Sequence, residues 1–504
     1  MLIPLTPNDS VSDRVALCSC FVFSLPPSAT EEARASLVVR VKEAAQRAVE
    51  KWKMLQGTPE WTRDGVWAIR VPEKDEQHHL EHSAVGFSTA TYDKPYHLAA
   101  GLPSPLPPLS SAPSSILPVP QLSFFRPPTL PGSFSAHAKH AFPLVHVHVS
   151  LFSDSVAVGI FVPHAVFDGT GIGLLNRALS AELHGEEWEV PPKPEDGKNP
   201  FVQALEALEK DEAVKAAAEQ SPPPSVEESW TPMSFFGVLC FVVSILWETY
   251  HWKAEARRAF FRKETLEKVV EKAKKEVEEE TEGEEYVSTG DVMLAWLMKA
   301  SLADEAGKNE RIVTTAVYSA RSLLAGHAPT SLSTYGANLA YPYQLISTPI
   351  SLSTLSSTPL PALALSFRRN LPKYRNLPTL LSSSKWMRSS PTLLPARDWP
   401  SLFRPLAREP FTHRWLFSNQ ASLGMADFAL PFRKENGEEE DLPLTLYHLG
   451  ADMPMAPDHM LAVQSVPGGG GAITMSGNMR RSRWEALQRA IREIEAEGEA
   501  PTDF

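Results

Sequence analysis

The sequence is poor in cysteine and in positive charge, and both shortages narrow the class of protein. Its 504 residues include three cysteines, an odd and sparse set that provides no disulfide framework and indicates a reducing compartment. The formal net charge of −12 argues against a general affinity for nucleic acid, which needs a basic surface. We therefore expect a cytoplasmic protein that does not bind nucleic acid.

No secretory signal and no membrane span is visible either. The N-terminal stretch MLIPLTPNDSVSDR lacks a basic region followed by an apolar one. The apolar run at 234–247 is shorter than the roughly 20 residues that span a bilayer. Its aromatic side chains suit a membrane interface, so 234–247 predicts either a peripheral membrane contact or a crossover helix packed on the protein.

The length and the alternation of helical and strand patterns predict a mixed α/β protein with two domains. A chain of 504 residues is too long for one ordinary core, and 43% of it is hydrophobic. We place an N-terminal domain at 1–215, an apolar crossover or linker at 216–262 and a C-terminal domain at 263–504. The proline-rich stretch 95–131 and the Ser/Thr/Leu/Pro-rich stretch 345–365 are predicted to be irregular, since proline is excluded from helix and sheet interiors.

The motif VPHAVFDGTGIG, at 162–173, carries the strongest chemical signal. His164 stands at the end of an apolar strand pattern, and the chain then turns through Gly169 and Gly171 into a helical pattern. Histidine is the side chain whose ordinary pKa lies nearest neutrality, which suits it to remove a proton from a hydroxyl or an amine. Asp168 is expected to hold the turn by a charge-assisted hydrogen bond or a salt bridge, without touching the imidazole.

Three other interpretations of the motif compete with catalysis. A histidine in HxxxD occurs by chance in many proteins as a packed structural residue. His146 and His148 form an HxH pair on the preceding strand and could bind zinc with a third histidine, but no ligand pattern recurs elsewhere, so we predict no metal. A serine hydrolase is disfavoured because the sequence has no G-x-S-x-G.

Four segments together resemble the BAHD acyltransferases, the superfamily that includes fungal trichothecene acetyltransferases. PHAVFDGTG resembles the family's HxxxDG motif, and STGDVMLAWLMKA (288–300) resembles the helix after its crossover. AVYSARSLLAGHAPTSLSTYGANLAYP (316–342) is similar to a third family segment, with Arg321, Tyr335, Gly336 and Asn338 at matching places. HMLAVQSVPGGGGAITMSGNMRRSRWEAL resembles the family's last hairpin and helix.

This resemblance implies two domains like chloramphenicol acetyltransferase, each a mixed sheet flanked by helices, with the active-site channel between them. His164 would be the general base for direct acyl transfer from acyl-CoA to a hydroxyl or amine of a small, specialised-metabolite acceptor. Asp168 and Gly169 would support the motif. The resemblance also implies acyl-CoA as a co-substrate, no permanently bound cofactor and a monomer.

The family's second signature, DFGWG, corresponds here to Asp427-Phe428-Ala429-Leu430-Pro431, which has lost both glycines and the tryptophan. In the family its aspartate is understood to pair with the arginine that corresponds to Arg321, so we expect a structural pair between Arg321 and Asp427. The basic stretch 366–415 contains candidates for the phosphates of CoA: Arg368, Arg369, Lys373 and Arg375.

Two other functions stay open at this point. A condensation-type domain has a related fold and histidine motif but takes its substrates from carrier proteins and typically shows HHxxxDG, whereas Pro163 precedes His164 here. A catalytically decayed member would act as a binding or regulatory protein. The altered DFGWG segment favours this second alternative, and the intact HxxxDG motif opposes it.

Overall fold

The computed structural model describes residues 1–6, 9, 15–63, 65–72, 84–192, 199–220, 235–308, 310–328, 331–346, 350–389, 413–434, 436–452, 460–466 and 471–496. Its strands, in chain order, are β1 (Leu2–Pro4), β2 (Ala16–Ser24), β3 (Thr58–Trp61), β4 (Trp67–Arg70), β5 (Gly86–Thr91), β6 (Ser115–Pro118), β7 (His146–Leu151), β8 (Ser155–Pro163), β9 (Ala254–Phe261), β10 (Arg311–Ser319), β11 (Ala340–Gln344), β12 (Ile350–Ser351), β13 (His413–Asn419), β14 (Pro431–Arg433), β15 (Glu439–Asp441), β16 (Leu444–Asp452), β17 (Met460–Ser465) and β18 (Ile473–Arg480).

The helices of the described residues alternate with these strands. In chain order they are α1 (Glu31–Lys51), α2 (Tyr96–Ala99), α3 (Phe134–His140), α4 (Gly169–His184), α5 (Pro200–Lys210), α6 (Glu212–Gln220), α7 (Phe235–Tyr250), α8 (Lys263–Glu280), α9 (Thr289–Ser301), α10 (Arg321–Leu324), α11 (Leu352–Ser357), α12 (Leu360–Tyr374), α13 (Leu377–Ser389) and α14 (Arg481–Ala496).

Two mixed sheets organise the molecule, one in each half. The first has five strands in the order β16-β2-β8-β7-β5, and the second has eight, in the order β11-β10-β13-β17-β18-β9-β6, with β12 paired to β10. Within the first sheet β2, β8 and β7 are antiparallel neighbours, whereas β5 runs parallel to β7. The predicted mixed α/β class is therefore confirmed.

Each half lends a strand to the sheet of the other half. The strand β16, from the C-terminal half, pairs with β2, and β6, from the proline-rich stretch of the N-terminal half, pairs with β9. The edge position of β6 explains how a strand can end in Pro118, because an edge strand can spare a backbone N–H. The boundaries at 215 and 263 stay a prediction, and the exchanged strands cross them.

The core is divided in the same way as the sheets. In the first half, apolar side chains of α1 and α4 pack on one face of the five-stranded sheet, and they include Leu37, Val41 and Leu175. In the second half, α9 and α12 cover the eight-stranded sheet with side chains such as Leu297 and Phe367. Both helix sets show the spacing of three and four residues that places apolar positions on one face.

Several local features follow simple sequence rules, and three predictions of irregular or linking structure are wrong, among them the stretch 95–131, which contains α2 and β6. The chain turns at Ser153–Asp154 between β7 and β8, and Gly185 ends α4 in the left-handed conformation at φ 69°. The stretch 345–365, predicted to be irregular, contains α11 and the start of α12, because Ser351 caps the first and Pro361 stands in the first turn of the second, where proline is tolerated. Residues 254–261, assigned to a linker, are the strand β9 of the second sheet.

The apolar run at 234–247 forms most of α7. This helix is shorter than a bilayer is thick, and none of the helices in the described part of the chain is long and apolar enough to cross a membrane.

Candidate active site

His164 is placed by the end of β8 and by a hydrogen bond to the neighbouring strand. Its backbone N–H donates to the carbonyl of Val15, 2.8 Å away, which extends the pairing of β8 with β2 by one step. The side chain is partly exposed, whereas the three residues after it are buried. The imidazole is therefore fixed to a rigid sheet while part of its surface stays accessible, as a proton-transferring group requires.

The hydrogen bond of the imidazole defines which nitrogen can act as a base. Nδ1 lies 2.7 Å from the carbonyl oxygen of Phe167. A carbonyl oxygen only accepts, so Nδ1 carries the hydrogen and Nε2 keeps its lone pair. Desolvation by the surrounding protein lowers the pKa of His164 below its ordinary value, with a smaller opposing effect from the Phe167 carbonyl. The neutral, basic imidazole is thus the main form at pH 7.

Asp168 caps the helix that follows and does not contact the imidazole. Its Oδ1 accepts hydrogen bonds from the backbone N–H groups of Thr170 at 3.0 Å and Gly171 at 3.2 Å, in the first turn of α4. Such a cap satisfies donors that have no partner inside the helix. Asp168 also raises the pKa of His164 through its negative charge, so its effect on the imidazole is electrostatic.

The carboxylate of Asp168 binds Arg321 of the other half, which corrects the expected partner of that arginine. The two Nη atoms of Arg321 lie 2.8 and 3.0 Å from the two Asp168 oxygens, and both side chains are at least nine-tenths buried. The remaining guanidinium hydrogens reach the carbonyls of Tyr335 and Ala337 and the hydroxyl of Ser319. All five N–H groups of Arg321 are therefore engaged, and none goes to Asp427.

Asp427 lies beside a different arginine, so the expected pair between Arg321 and Asp427 is wrong. The nearest cation of Asp427 is Arg177 of α4, at 3.7 Å, and both side chains are more than two-fifths exposed. Arg177 also donates to the carbonyl of Leu423, 3.1 Å away. The physical reason is burial: the buried guanidinium of Arg321 needs a fully desolvated anion, which Asp168 provides and the exposed Asp427 does not.

The segment 335–339 of the second half holds the HxxxDG motif in place. The side-chain amide of Asn338 donates to the His164 carbonyl at 2.8 Å, and the backbone N–H of Leu339 donates to Asp168 at 3.1 Å. Asn338 also donates twice to Asp9, whose carboxylate is held by Thr6 as well. Burial raises the pKa of Asp9 to about 6.

Sequence reasoning had marked Asn338 only as a match to the family segment, and it missed Asp9. Asn338 is joined to Asp9 and to His164 across separations of 329 and 174 residues. No local pattern around Asp9 indicates a contact at that distance.

Two glycines of the motif lie in close contact with segments from the second half of the chain. A Cβ on Gly171 would lie 2.1 Å from the carbonyl oxygen of Gly336, a backbone atom that cannot move aside. A Cβ on Gly169 would lie 2.7 Å from Cδ1 of Leu423. The 335–339 segment thus explains why position 171 is a glycine, whereas the contact at Gly169 is with the movable end of a side chain in the loop before Asp427.

The basic candidates for CoA phosphates lie on or next to α12, and two of them are already paired. Arg368 contacts Asp291 at 2.7 Å, and Arg369 binds Glu285 in a bidentate pair. Lys373 and Arg375 have uncharged partners, Asn370 and Ser322. A site for phosphate therefore has to depend on Lys373 and Arg375 more than on Arg368 and Arg369.

The HxH histidines form a hydrogen-bonded network with serines. The hydroxyl of Ser88 lies 2.8 Å from Nε2 of His146 and 2.7 Å from Nδ1 of His148, and Ser150 bonds the other nitrogen of His148. Burial lowers the pKa of both imidazoles to about 4, so they are neutral. Within the described residues there is no cluster of three or more His, Cys, Asp or Glu side chains arranged to hold a metal ion.

Comparison with curated proteins shows distant similarity to fungal acyltransferases, and no family model matches the sequence. The chain is 26% identical over 251 residues to the O-acyltransferase pboC of Aspergillus ustus, and 25% identical over 303 residues to the acetyltransferase BOT5 of Botryotinia fuckeliana. These matches cover 49% and 58% of this chain, and the chain spans about half of each relative, 48% and 52%. A third relative, 23% identical over 72% of both chains, is named transcriptional regulator sdnM, from Sordaria araneosa.

Comparison with solved structures shows the fold over nearly the whole chain. The structure of F. sporotrichioides TRI101 in complex with coenzyme A and T-2 matches with a TM-score of 0.66 at 14% identity, covering 97% of both chains. Vinorine synthase matches with a TM-score of 0.55 at 13% identity, covering 98% of this chain and 93% of its own. The predicted fold, that of two-domain acyltransferases, is thereby confirmed, and the curated relatives confirm the predicted resemblance to fungal acyltransferases.

Proposed function

We propose that this protein transfers an acyl group from acyl-CoA to a hydroxyl or amine of a small acceptor, with His164 as the general base. The observation that carries the proposal is the hydrogen bond from Nδ1 of His164 to the Phe167 carbonyl, which leaves Nε2 unprotonated at a partly exposed position. The fold and the acyltransferase names of the curated relatives support the same reaction class.

The reaction follows from the chemistry of a positioned imidazole. Nε2 of His164 removes the proton of the acceptor as its oxygen or nitrogen attacks the thioester carbonyl carbon. The tetrahedral intermediate then collapses, the carbon–sulfur bond breaks, and the imidazolium returns the proton to the departing thiolate. The negative charge of Asp168 stabilises the imidazolium that forms, and the Asn338 bond to the His164 carbonyl keeps the residue oriented.

A panel assay tests this function directly. The full-length protein is incubated with individual acyl-CoA thioesters and a mixture of small hydroxylated and amine-bearing metabolites, and products are detected by mass spectrometry. We expect stoichiometric release of free CoA and a product heavier by one acyl group. The same acyl groups offered on a carrier protein distinguish a condensation-type activity, which would show transfer only from the carrier-bound donor.

A regulatory role is the second candidate, because one relative is named a transcriptional regulator and the DFGWG-like segment is altered. A regulatory protein with this site would bind an acyl-CoA or an acceptor without turnover. Binding of a non-hydrolysable acyl-CoA analogue, together with no CoA release from any acyl-CoA of the panel, would favour this role over catalysis.

We also propose that the helix α7 contacts a membrane surface. Leu239, Val243, Leu246, Trp247 and Tyr250 are all exposed, and their spacing of three and four residues places them on one face. Trp247 and Tyr250 at the end of this face are the residues that favour the boundary between headgroups and hydrocarbon.

Liposome flotation tests the membrane contact. We expect the full-length protein to float with phosphatidylcholine vesicles and the Trp247→Ser/Tyr250→Ser variant to stay at the bottom of the gradient. Both side chains are exposed, so the fold should not change. Full recovery of the unaltered protein in the bottom fraction would contradict the proposal.

A further inference from the structure

One face of the second sheet is turned toward the first half of the molecule. Along β9, Ala259 and Phe261 belong to the core of the second half, whereas Phe260 packs in the core of the first half. Side chains alternate along a strand, so Arg258 lies on the same face as Phe260. Arg258 thus lies on the face of the second sheet that is turned toward the first half, the side on which the family resemblance expects the substrate channel.

Four residues lie in register across this face, and we call them the interdomain row: Ser418 of β13, Ala462 of β17, Ser476 of β18 and Arg258 of β9. All four are at least nine-tenths buried. Three strand spacings separate the ends of the row, a distance of about 14 Å.

The Ser418 end of the row lies near the HxxxDG motif. Gln420, two residues beyond Ser418, donates to the Ser418 hydroxyl, and its Cδ lies 3.6 Å from the place that a Cβ on Gly169 would occupy. The row therefore connects the neighbourhood of the HxxxDG motif to Arg258.

Arg258 is a buried cation without a bound anion among the described residues. It is 3% exposed, and its Nε and Nη1 make no hydrogen bond to the described part of the chain. Burial lowers its pKa to about 10, which still leaves it charged at neutral pH. Three other buried arginines, Arg321, Arg480 and Arg483, each bind a carboxylate. Arg258 differs from them, and a buried guanidinium is costly unless an anion accompanies it.

Two further polar atoms near Arg258 are buried without a partner in the described residues. They are the hydroxyl of Tyr96 and Nδ1 of His448, on side chains that are 3% and 7% exposed. Burial raises the pKa of the Tyr96 hydroxyl, and the charge of Arg258 opposes this rise. Burial, with a smaller effect from the charge of Arg258, lowers the pKa of His448 to about 3. The group therefore carries one positive charge, a neutral imidazole and a neutral phenol, which can donate hydrogen bonds.

We propose that Arg258, Tyr96 and His448 form a binding site for a single carboxylate group of a small-molecule substrate. One carboxylate neutralises one guanidinium and accepts its two parallel N–H bonds, and the phenol supplies a third donor. A phosphate dianion would leave an excess negative charge in the same buried volume. A substrate that reaches from the HxxxDG motif to Arg258 is elongated and carries its carboxylate far from the reacting group.

Carboxylate binding does not depend on the proposed acyl transfer. The role of the bound molecule as a substrate does rest on the proposed acyl transfer. The two ideas can therefore fail separately, and a binding readout that does not need turnover distinguishes them.

The test is the thermal stability of the full-length protein with hexanoate, decanoate and benzoate, each compared with its primary amide and with inorganic phosphate. We expect a saturable increase of Tm with at least one carboxylate and none with its amide or with phosphate. Arg258→Met should lose the increase. Without ligand this variant should be at least as stable as the unaltered protein, because it removes an unpaired buried charge and keeps the volume.

Matched variants locate the site. Tyr96→Phe keeps the ring packing on Phe152 and should weaken carboxylate binding by about tenfold, the size expected for one hydrogen bond to a charged group. Tyr92→Phe, which alters a tyrosine stacked on the same Phe152 ring, should bind normally. His164→Ala should keep the carboxylate effect while losing acyl transfer.

Three results would overturn the proposal: no carboxylate raises Tm, the increase persists in Arg258→Met, or Arg258→Met is strongly destabilised without ligand. The last result would show that Arg258 has a structural anion within the protein.

Discussion

Two aspartates, each in a segment that resembles a signature of the same family, occupy opposite environments in this molecule. The side chain of Asp168 is 6% exposed and receives two hydrogen bonds from Arg321 and three from backbone N–H groups. The side chain of Asp427 is 45% exposed and has Arg177 at 3.7 Å. The first aspartate joins the two halves at the HxxxDG motif, and the second lies on the surface.

The partners of charged residues in this protein therefore depend more on burial away from water than on membership of a signature motif. A surface pair gains little because water screens it and side-chain entropy opposes it. A buried pair is different, since removing one partner leaves the other as an unpaired charge that water cannot solvate. Mutations in the buried pair and in the exposed pair should therefore differ in their effect on stability.

Removing either partner of the buried pair should have the largest effect on stability. Asp168→Ala and Arg321→Ala are each expected to lower the free energy of unfolding by about 3–5 kcal/mol, because each leaves an uncompensated buried charge. The double variant should cost clearly less than the sum of the two, as expected for residues in direct contact. Urea unfolding of all four proteins measures this coupling, and strict additivity would contradict the pairing.

A substitution at the close contact between Gly171 and Gly336 should have the next largest effect on stability. Gly171→Ala should lower the free energy of unfolding by about 1–3 kcal/mol, because its methyl group would meet the Gly336 carbonyl at 2.1 Å. The matched control is Gly307→Ala, whose added Cβ would have no heavy atom within 4 Å. Thermal unfolding should show a lower Tm for the first variant and an unchanged or slightly higher one for the second. Equal Tm values would show that the two halves do not meet at Gly171.

The pH profile distinguishes the aspartates by their distance from the base. His164 must be neutral to accept a proton, and burial lowers its pKa below the ordinary value, so kcat/KM should reach its high-pH plateau at a lower pH than an ordinary imidazole would give. Below the pKa it should fall about tenfold per pH unit. Asp168 raises that pKa by its charge, so Asp168→Asn should move the fall to lower pH, whereas Asp427→Asn should not move it. An identical shift in both variants would mean that neither charge acts specifically on His164.

The exposed pair should give the smallest effect. Asp427→Ala and Arg177→Ala are expected to change the free energy of unfolding by less than about 1 kcal/mol each for the loss of the ion pair. Increasing the salt concentration from low to physiological should reduce even this difference. A loss as large as that of Asp168→Ala would indicate that Asp427 has a buried role.

The sequence predicted the strands and helices around the site better than it predicted the contacts between distant residues. The strand before His164, the helix after Asp168 and its end at Gly185 follow from local rules of strand patterning, capping and left-handed glycine. The exchange of β6 and β16 between the halves and the pairing of Arg321 with Asp168 depend on contacts between distant residues.

Asn338 shows where local reasoning ends. Its amide reaches Asp9 and His164 because the two halves pack against each other, and no periodicity in the sequence records that contact. Proline content led to a wrong prediction of irregular structure in the stretches 95–131 and 345–365. Proline is compatible with an edge strand such as β6 and with the first turn of a helix such as α12.

The most direct test of the account is acyl transfer by His164→Ala, measured as acceptor-dependent CoA release beside the unaltered protein and Asp427→Ala. We predict that His164→Ala loses roughly 10²–10⁴-fold in rate, because proton transfer is removed. The protein should stay folded, since the side-chain hydrogen bond that is lost is the one to the Phe167 carbonyl. Asp427→Ala should transfer acyl groups at close to the normal rate. Near-normal turnover by His164→Ala would contradict the assignment of His164 as the base.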